Sequence, residues 1–297
     1  MLYNNLSGYL REKYGRRLSK ICIDGGFSCP NRDGKCGVGG CTYCGERGAG
    51  EHINPCGSIE EQVRAGLSDA SPNAKFIAYF QNFTNTYAHV SILRERYDAA
   101  LIDERIVILA VGTRPDCIDG EVARLLASYK ERVDVWVELG FQTASDATAK
   151  RINRGYETAQ FFRAAEILNE YEIPFVVHIM LGLPGEGEAE ALSTVAAVNS
   201  VRPFGVKLHS TYVMSGTELE AEYLRGEYTP ILREDYVRIC AECIAHLSPE
   251  TVVHRITGDC PRDMLVAPLW NTDKNGVIAD IQNYMKENNL SQGSRLI

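Results

Sequence analysis

The sequence predicts an α/β protein built around one parallel sheet, and three observations support this fold class. Six short runs rich in β-branched and aromatic residues alternate with segments of helical periodicity. Each run is apolar over most of its length, as expected of buried strands in a parallel sheet. A chain of 297 residues is long enough to bury one large α/β domain, or one domain with an appendage.

The predicted strands and helices follow one another in a regular order. The six strands are KICID from Lys20, KFIAYF from Lys75, RIVILAV from Arg105, VDVWVEL from Val133, PFVVHIML from Pro174 and GVKLHS from Gly205. The helices between them are SIEEQVRAGL, HVSILRERYDAAL, GEVARLLASYK, AQFFRAAEILNEY and EAEALSTVAAVNSV. The first helix begins with Ser58 and Glu61 at capping-box spacing. This alternation implies right-handed crossovers, but it does not distinguish a curved partial barrel from an open doubly wound sheet.

The alternation weakens after Ser210, which places a domain boundary there. Residues 1–210 are expected to form the sheet domain, and residues 211–297 a C-terminal appendage packed on it. The appendage begins with a predicted helix, REDYVRICAECIAHL, which leads into a predicted strand, TVVHRITG. A final helix is predicted around GVIADIQNYMKENN.

Composition narrows the classes of protein and the cellular compartment. Hydrophobic residues make up 45% of the chain and charged residues 24%, which is ordinary for a soluble globular protein. No apolar run approaches the length of a membrane span, and the N-terminus lacks the features of a signal peptide. We therefore expect a cytoplasmic protein with no membrane partner. Thiols are kept reduced there, so the ten cysteines favour a metal, a cluster or burial over disulfides.

A basic run, REKYGRRLSK, stands out in a chain whose net charge is -8. It carries five cations against Glu12 alone: Arg11, Lys13, Arg16, Arg17 and Lys20. Such a run is most often a solvated face, and the acidic total charge argues against nonspecific nucleic-acid binding. A contact with a nucleic-acid backbone is the functional alternative.

Four cysteines lie within the stretch CPNRDGKCGVGGCTYC, which runs from Cys29 to Cys44. Cys41 and Cys44 form a C-x-x-C pair, and Cys29 and Cys36 are candidates for a third ligand. The glycines of this stretch allow the loop to fold back closely. Three interpretations remain open on spacing alone. They are a zinc site completed by Cys22 or Cys56, a three-cysteine [4Fe–4S] cluster with one open iron, and inert thiols.

A second group of cysteines lies near the C-terminus. Cys240 and Cys243 share one face of a predicted helix, where cysteine is common as a core residue. Core packing is therefore the first interpretation. An auxiliary metal site completed by Cys260 is the alternative.

The loop GGFSCPNRDGKCGVGGCTYC resembles the cluster-binding loop of the radical S-adenosylmethionine (SAM) enzymes. In more detail it is similar to the YhcC/YtqA (MnmL-like) subfamily, related to the Elongator-type catalytic subunit, in which a long spacing separates the first two cysteines. The resemblance covers nearly the whole chain. It implies that Cys29, Cys41 and Cys44 hold a [4Fe–4S] cluster, with Tyr43 as the aromatic residue before the last ligand. Cys36 falls at a variable position and is not included.

Further blocks of sequence resemble the SAM-binding motifs of the same superfamily. YFQNFTNTYA is similar to the loop that meets the methionyl amine, with Asn82, Phe83 and Thr84 in place of its glycines. TRPDC is preceded by Gly112, where relatives often carry a glutamate. The remaining candidates for SAM contact are Gln142, Arg154 and His178. Each has a structural alternative: backbone hydrogen bonding for Gln142, a surface ion pair with Asp146 or Glu157 for Arg154, and core packing for His178.

The resemblance also implies a fold and an activity. The fold is a partial (β/α)6 TIM-like barrel of parallel strands with the C-terminal appendage. An electron donor such as flavodoxin or ferredoxin reduces the cluster, SAM is cleaved to a 5′-deoxyadenosyl radical, and that radical abstracts hydrogen from an unactivated C–H bond. The block HRITGDC supplies the substrate-contact candidates Arg255 and Asp259.

One type of member in this subfamily modifies wobble uridine in tRNA, where it converts a carboxymethylaminomethyl group at C5 to aminomethyl. We expect tRNA as the substrate, with the basic run as supporting evidence. Two alternatives remain, a radical SAM enzyme acting on a small metabolite and a zinc-stabilised binding module without catalysis. The sequence assigns neither the oligomeric state nor the residue that quenches the substrate radical.

Overall fold

A sheet of seven parallel strands forms the centre of the molecule in the computed structural model, which describes residues 2–48, 50, 53 and 57–296. The strands are β1 Ser19–Asp24, β2 Phe76–Gln81, β3 Ile106–Thr113, β4 Asp134–Gln142, β5 Phe175–Leu181, β6 Gly205–Ser210, β7 Val213–Met214, β8 Val252–Arg255 and β9 Leu265–Ala267. The order in the main sheet is β1-β2-β3-β4-β5-β6-β8, and β7 and β9 form a separate antiparallel pair. The six predicted strands are confirmed as β1 to β6.

Helices connect the strands, and most of them cover the outer face of the sheet. They are α1 Leu6–Tyr14, α2 Ile59–Leu67, α3 Val90–Ala100, α4 Gly120–Ser128, α5 Asp146–Arg151, α6 Thr158–Glu170, α7 Glu188–Ser200, α8 Glu218–Leu224, α9 Arg233–His246 and α10 Lys274–Glu287. The predicted capping box begins α2, since Ser58 accepts from the Glu61 amide and Glu61 accepts from the Ser58 amide. Among the described residues, no helix combines the length and the apolar character needed to cross a bilayer.

The sheet curls into a partial barrel, which confirms the predicted architecture. Four strand spacings separate β2 from β6 in the sheet order, so a flat sheet would hold them roughly 19 Å apart. Instead Lys207 on β6 brings its Nζ to 3.3 Å from the Tyr79 hydroxyl on β2. Side chains from opposite ends of the sheet therefore meet inside the barrel.

Two apolar cores lie on the two faces of this curved sheet. The outer core joins the helices to residues such as Ile21 and Ile23 of β1. The inner core is smaller and contains Ile77, Ile108 and Trp136, all near the starts of their strands, packed with Leu10 of α1. Helix α1 thus closes the barrel at the N-terminal ends of the strands. The interior stays accessible from the C-terminal ends, where parallel α/β barrels place their sites.

The seventh strand, β8, comes from the region predicted as an appendage. It pairs in parallel with β6, and its far edge meets the N-terminal segment, since the Val253 amide donates to the Asn4 carbonyl at 2.7 Å. The sheet has seven strands rather than six because α9 serves as one more crossover helix. Residues 211–297 therefore contribute to the barrel as well as covering it.

Candidate active site

The three predicted cluster cysteines face a common cavity at the C-terminal ends of the strands. Cys29, Cys41 and Cys44 lie in the loop after β1 and line a space of about 170 Å³. A tight turn in which the Cys44 amide donates to the Cys41 carbonyl at 3.0 Å brings the last two together. Cys36 is exposed and does not line this cavity. The loop therefore presents three thiols to one space and turns the fourth away from it.

The surroundings of Cys41 favour the thiolate form that metals bind, whereas the hydrogen bond to Cys41 and burial raise the pKa of the Cys44 thiol well above its usual value. A hydrogen bond from the Cys44 thiol, the charge of Arg114 and the Asn31 amide, 3.7 Å from Sγ, lower the pKa of the Cys41 thiol to about 6, although burial opposes them. Arg32 adds a second positive charge and donates to the Cys44 carbonyl at 3.3 Å. Soft thiolates in such a setting suit iron–sulfur or zinc chemistry. No three His, Cys, Asp or Glu side chains of the described segments already stand at the spacing of a metal site.

The loop after β2 forms the second wall of the cavity. Asn82 and Phe83 have φ angles of +75° and +54°, in the left-handed region that glycine adopts without strain. These are the positions where the sequence predicted replacements for glycine. Thr84 is fully buried here, and its hydroxyl has no hydrogen-bond partner within the described part of the chain. An unpaired buried hydroxyl in a cavity wall is costly unless a ligand satisfies it.

The end of β4 forms a third wall. Gln142 has a φ of +66° beside an irregularity in the pairing of β4 with β5, and it lines the cavity. Its amide nitrogen, turned toward the chain, lies 2.7 Å from the Gly140 carbonyl and 3.0 Å from the Phe141 carbonyl. Both the structural and the ligand-binding interpretation of Gln142 therefore have a basis here, since the side chain supports the backbone while facing the cavity.

Arg154 lies at the base of the loop after β4 and lines the cysteine cavity. The side chain is 1% exposed, and its five N–H donors are directed at acceptors of the protein itself. The acceptors are the carbonyls of Tyr156, Phe141 and Thr143, the Asp146 carboxylate and the Thr158 hydroxyl. Asp146, its ion-pair partner, is 57% exposed, so only the arginine side of this pair is buried. Arg154 therefore holds the loop after β4 in shape, and because it also lines the cysteine cavity, its contact with SAM stays a prediction.

A buried ionic network that sequence reasoning missed lies beneath the cavity. Glu138 on β4 is 1% exposed, and its Oε2 accepts from the Tyr79 hydroxyl at 2.7 Å and from the Lys207 ammonium. His178 places Nε2 2.8 Å from the same oxygen. Burial alone would raise the pKa of Glu138, but Lys207 and His178 hold it well below its usual range. Glu138 lies on β4, His178 on β5 and Lys207 on β6. The sequence identifies these polar residues on neighbouring strands, but only the curl of the sheet shows that they meet.

His178 therefore joins this network as well as lining the cavity. Burial and the Lys207 charge lower the pKa of its imidazole to about 4, so the ring is neutral at physiological pH. Its neighbour His209 lies with ring centroids 5.2 Å apart. The core-packing and site interpretations of His178 both apply, because it is buried and yet faces the ligand space.

A second cavity of about 270 Å³ adjoins the first on the open side of the barrel. The two share a wall formed by Tyr43, Cys44, Gly48, Tyr79, Gln81, Gln142 and His178. The second cavity is lined by both substrate-contact candidates, Arg255 and Asp259, whose side chains pair at 3.2 Å. A ligand in the first cavity can therefore touch a ligand in the second.

Other predicted features lie away from these cavities. Arg16 and Arg17 are exposed and precede β1, at the opposite end of the strands from the cysteine loop, whereas Lys20 lines the second cavity. Cys240 and Cys243 are fully buried in α9 within the outer core, as their packing interpretation predicts. Cys56 lies outside the described residues. The basic run is thus split between two surfaces.

Comparison with known proteins finds a family that matches most of the chain. The model of the radical SAM superfamily matches residues 33–198, and that of a radical SAM C-terminal domain matches residues 203–287. Protein YhcC of Escherichia coli (strain K12) is 38% identical over 296 residues, which cover 99% of this chain and 96% of YhcC.

Two further proteins are similar to this chain over part of their own length. The tRNA uridine(34) acetyltransferase of Dehalococcoides mccartyi (strain CBDB1) is 32% identical over 177 residues, or 58% of this chain and 38% of that protein. The solved structure of the Elp3 protein from Methanocaldococcus infernus, with an N-terminal deletion, has a TM-score of 0.67 at 20% identity. It covers 79% of this chain and 60% of that structure, and it establishes a shared fold.

Proposed function

The chain belongs to the radical SAM superfamily and is similar to YhcC over almost its whole length, and from this premise we propose that it modifies the C5 substituent of wobble uridine in tRNA. The proposed change is from carboxymethylaminomethyl to aminomethyl, with the carboxymethyl group released as glyoxylate, water supplying the new carbonyl oxygen, and SAM accepting two electrons as it becomes methionine and deoxyadenosine. The chain is a radical SAM enzyme. The alternative of a zinc-stabilised binding module without catalysis is therefore wrong. Its cofactors are a [4Fe–4S] cluster and SAM. These cofactors together supply a 5′-deoxyadenosyl radical, which removes a hydrogen atom from the substrate.

The residues present fit this pair of cofactors. Cys29, Cys41 and Cys44 would hold the cluster, because they are the three thiols that face one cavity. The unpaired Thr84 hydroxyl and the side chain of Gln142 stand beside them as polar partners for SAM. Helix α1 and the inner apolar core close the far end of the barrel, which keeps bulk water from entering behind the reacting groups.

The observation that carries the proposal is the shared wall between the two cavities. It supports the proposal because a second cavity, large enough for part of a substrate, adjoins the cysteine cavity directly. A tRNA substrate is supported by the similarity to a tRNA uridine(34) acetyltransferase, whose name specifies the same nucleotide position. Arg16 and Arg17 support it less than the sequence suggested, because they lie at the other end of the strands.

The deciding assay supplies reduced enzyme with SAM and tRNA that carries carboxymethylaminomethyluridine. We expect deoxyadenosine to form in step with loss of that nucleoside and with appearance of aminomethyluridine, both read by mass spectrometry. The control is the same tRNA without the modification, which should leave deoxyadenosine formation at its background rate. If deoxyadenosine forms at the same rate with and without tRNA, and the nucleoside profile is unchanged, tRNA is not the substrate. A small metabolite would then be the better proposal.

A test of the SAM site uses Thr84→Val, a substitution of nearly equal shape. Removing an unpaired buried hydroxyl should leave stability unchanged or slightly raised, because no hydrogen bond is lost within the protein. SAM affinity, measured by calorimetry on cluster-loaded protein, should fall about tenfold as one hydrogen bond is lost. Gln142→Ala should also weaken SAM binding while retaining the cluster. Unchanged affinity in both variants would remove these residues from the SAM site.

A further inference from the structure

The second cavity is cationic in a chain whose net charge is negative. Three cations, Lys20, Lys207 and Arg255, line it against a single carboxylate, Asp259, among the described residues. That carboxylate is already shared, since both Arg255 and Lys274 pair with it. Lys20 makes no ion pair within the described part of the chain, although its Nζ lies 5.1 Å from the centre of the Tyr79 ring. Lys207 is itself paired with Glu138. The positive charge left uncompensated is therefore that of Lys20 and the surplus of Arg255 and Lys274 over their one shared carboxylate.

The cations occupy neighbouring positions in the sheet register. His178 pairs with Lys207 across β5 and β6, and Lys207 pairs with Arg255 across β6 and β8. Paired residues of a parallel sheet point to the same face, so these side chains form one layer inside the barrel. Lys207 is 4% exposed, whereas Arg255 is partly exposed and Lys20 is exposed. The layer thus runs from a buried ammonium at the floor to two cations at the mouth.

A neutral hydrogen-bond donor completes this layer. His209 also lines the cavity, and its buried Nε2 has no hydrogen-bond partner among the described residues. Burial and the cations around His209 lower its pKa well below the usual range, so the ring is neutral. When Nε2 carries the proton, it can donate to an anion that the cations hold. Charge-assisted contacts of this kind are shorter and stronger than neutral ones.

We propose that this cavity binds an anionic group of the substrate, the carboxylate of its C5 substituent, through Lys207, Arg255 and Lys20. The assignment rests on the proposed function, because the cysteine cavity lies across the shared wall. A phosphate of the tRNA backbone has similar chemistry. The carboxylate is favoured because Lys207 lies at the floor of a cavity of about 270 Å³, which suits a side group better than a backbone.

The test measures binding to two tRNAs that differ only in the carboxymethyl group, which carries the carboxylate. Cluster-loaded protein with SAM and no reductant is titrated with tRNA carrying carboxymethylaminomethyluridine or aminomethyluridine. The wild type should prefer the first by about tenfold to a hundredfold, the usual effect of a hydrogen bond to a charged group. The preference should fall toward unity in Lys207→Met and Arg255→Gln. Arg64→Gln, on the exposed face of α2 outside the barrel, is the matched control and should keep it.

Equal affinities of the wild type for the two tRNAs would overturn the carboxylate assignment and leave a phosphate contact as the explanation of the cations. A second binding experiment, without tRNA, distinguishes a wrong carboxylate assignment from a wrong proposed function. It uses N-acetylglycine and its neutral amide, N-acetylglycinamide, as probes. If only N-acetylglycine binds, and Lys207→Met abolishes that binding, the anion site stands even when no tRNA is modified. If neither probe binds and the tRNAs are equivalent, the site is refuted.

A pH series on the wild-type protein tests the role of Lys207 even if the Lys207→Met variant does not fold. Burial and the neighbouring cations lower the pKa of Lys207 to about 7, although Glu138 opposes them. A bound carboxylate favours the charged ammonium, so binding above pH 7 must take up a proton. Affinity for N-acetylglycine should therefore fall by up to about tenfold per pH unit above 7, and a flat profile would contradict a role for Lys207. The other groups facing Lys207 are Lys20, Cys22, Tyr79, Glu138, His178, His209, His254 and Arg255.

Discussion

Replacing Cys29, Cys41 or Cys44 with alanine is expected to abolish both the cluster and the cleavage of SAM. Anaerobically purified wild-type protein should be brown and hold about four irons and four sulfides per chain, the content of one cubane cluster. Each single variant should lose nearly all of it, because the cavity offers only these three thiols among the described residues. Iron and sulfide analysis, with deoxyadenosine formation as the second readout, checks the result.

Cys36→Ala is the matched control from the same loop. Its thiol is exposed and lies 3.6 Å from the Arg114 guanidinium, outside the cavity. The variant should keep the iron, the sulfide and the activity of the wild type. Stoichiometric zinc without sulfide would refute the cluster, and loss of the cluster in Cys36→Ala would show that the wrong three ligands have been assigned.

The second large effect is expected at Arg154, on stability. Arg154→Met keeps the length of the side chain but removes the side-chain donor to the carbonyls of Thr143 and Tyr156, whereas the Phe141 carbonyl keeps the Thr143 amide at 2.9 Å. Each unpaired buried group costs about 1–3 kcal/mol, so the free energy of unfolding should fall by at least about 2 kcal/mol. Denaturant unfolding of the cluster-free wild type and variant measures the difference.

Arg151→Met serves as its control, since it removes an arginine only three residues away. Arg151 is 45% exposed and pairs with Glu222, whose side chain is 12% exposed, and a pair with one solvated partner contributes about 1 kcal/mol or less. Its unfolding should therefore resemble that of the wild type. If Arg154→Met is as stable as the wild type but binds SAM weakly, the guanidinium turns toward the ligand and the structural role is wrong.

The strands of the barrel could be predicted from sequence because each carries its own local signal. A run such as RIVILAV is apolar throughout, and β3 covers Ile106–Thr113 with only small differences at its ends. Helix α1 could not be predicted in this way. It is nine residues long with Leu10 as its one buried residue, and it owes its place to packing inside the barrel. In the sequence, its basic residues indicate a charged surface and not a buried helix.

The cysteine site could be predicted for a similar reason, since its ligands lie close together in the chain. Glu138, Lys207 and Tyr79 could not, because they come from three distant strands and meet only when the sheet curls. Arg154 was assigned by resemblance to a motif. A motif identifies a position, but the direction of a guanidinium depends on which carbonyls surround it.

The contact between Asn5 and Val253 at the last edge of the sheet has a consequence for synthesis of the protein. The two residues are separated by about 250 residues, which take roughly 12–50 s to translate at 5–20 residues per second. Until β8 emerges, the growing chain carries β6 as an unpaired edge strand and an N-terminal segment without its partner. Strand addition from another chain competes with native closure during that time. Barrel completion is therefore a late step, and a chaperone that covers strand edges would act in this interval.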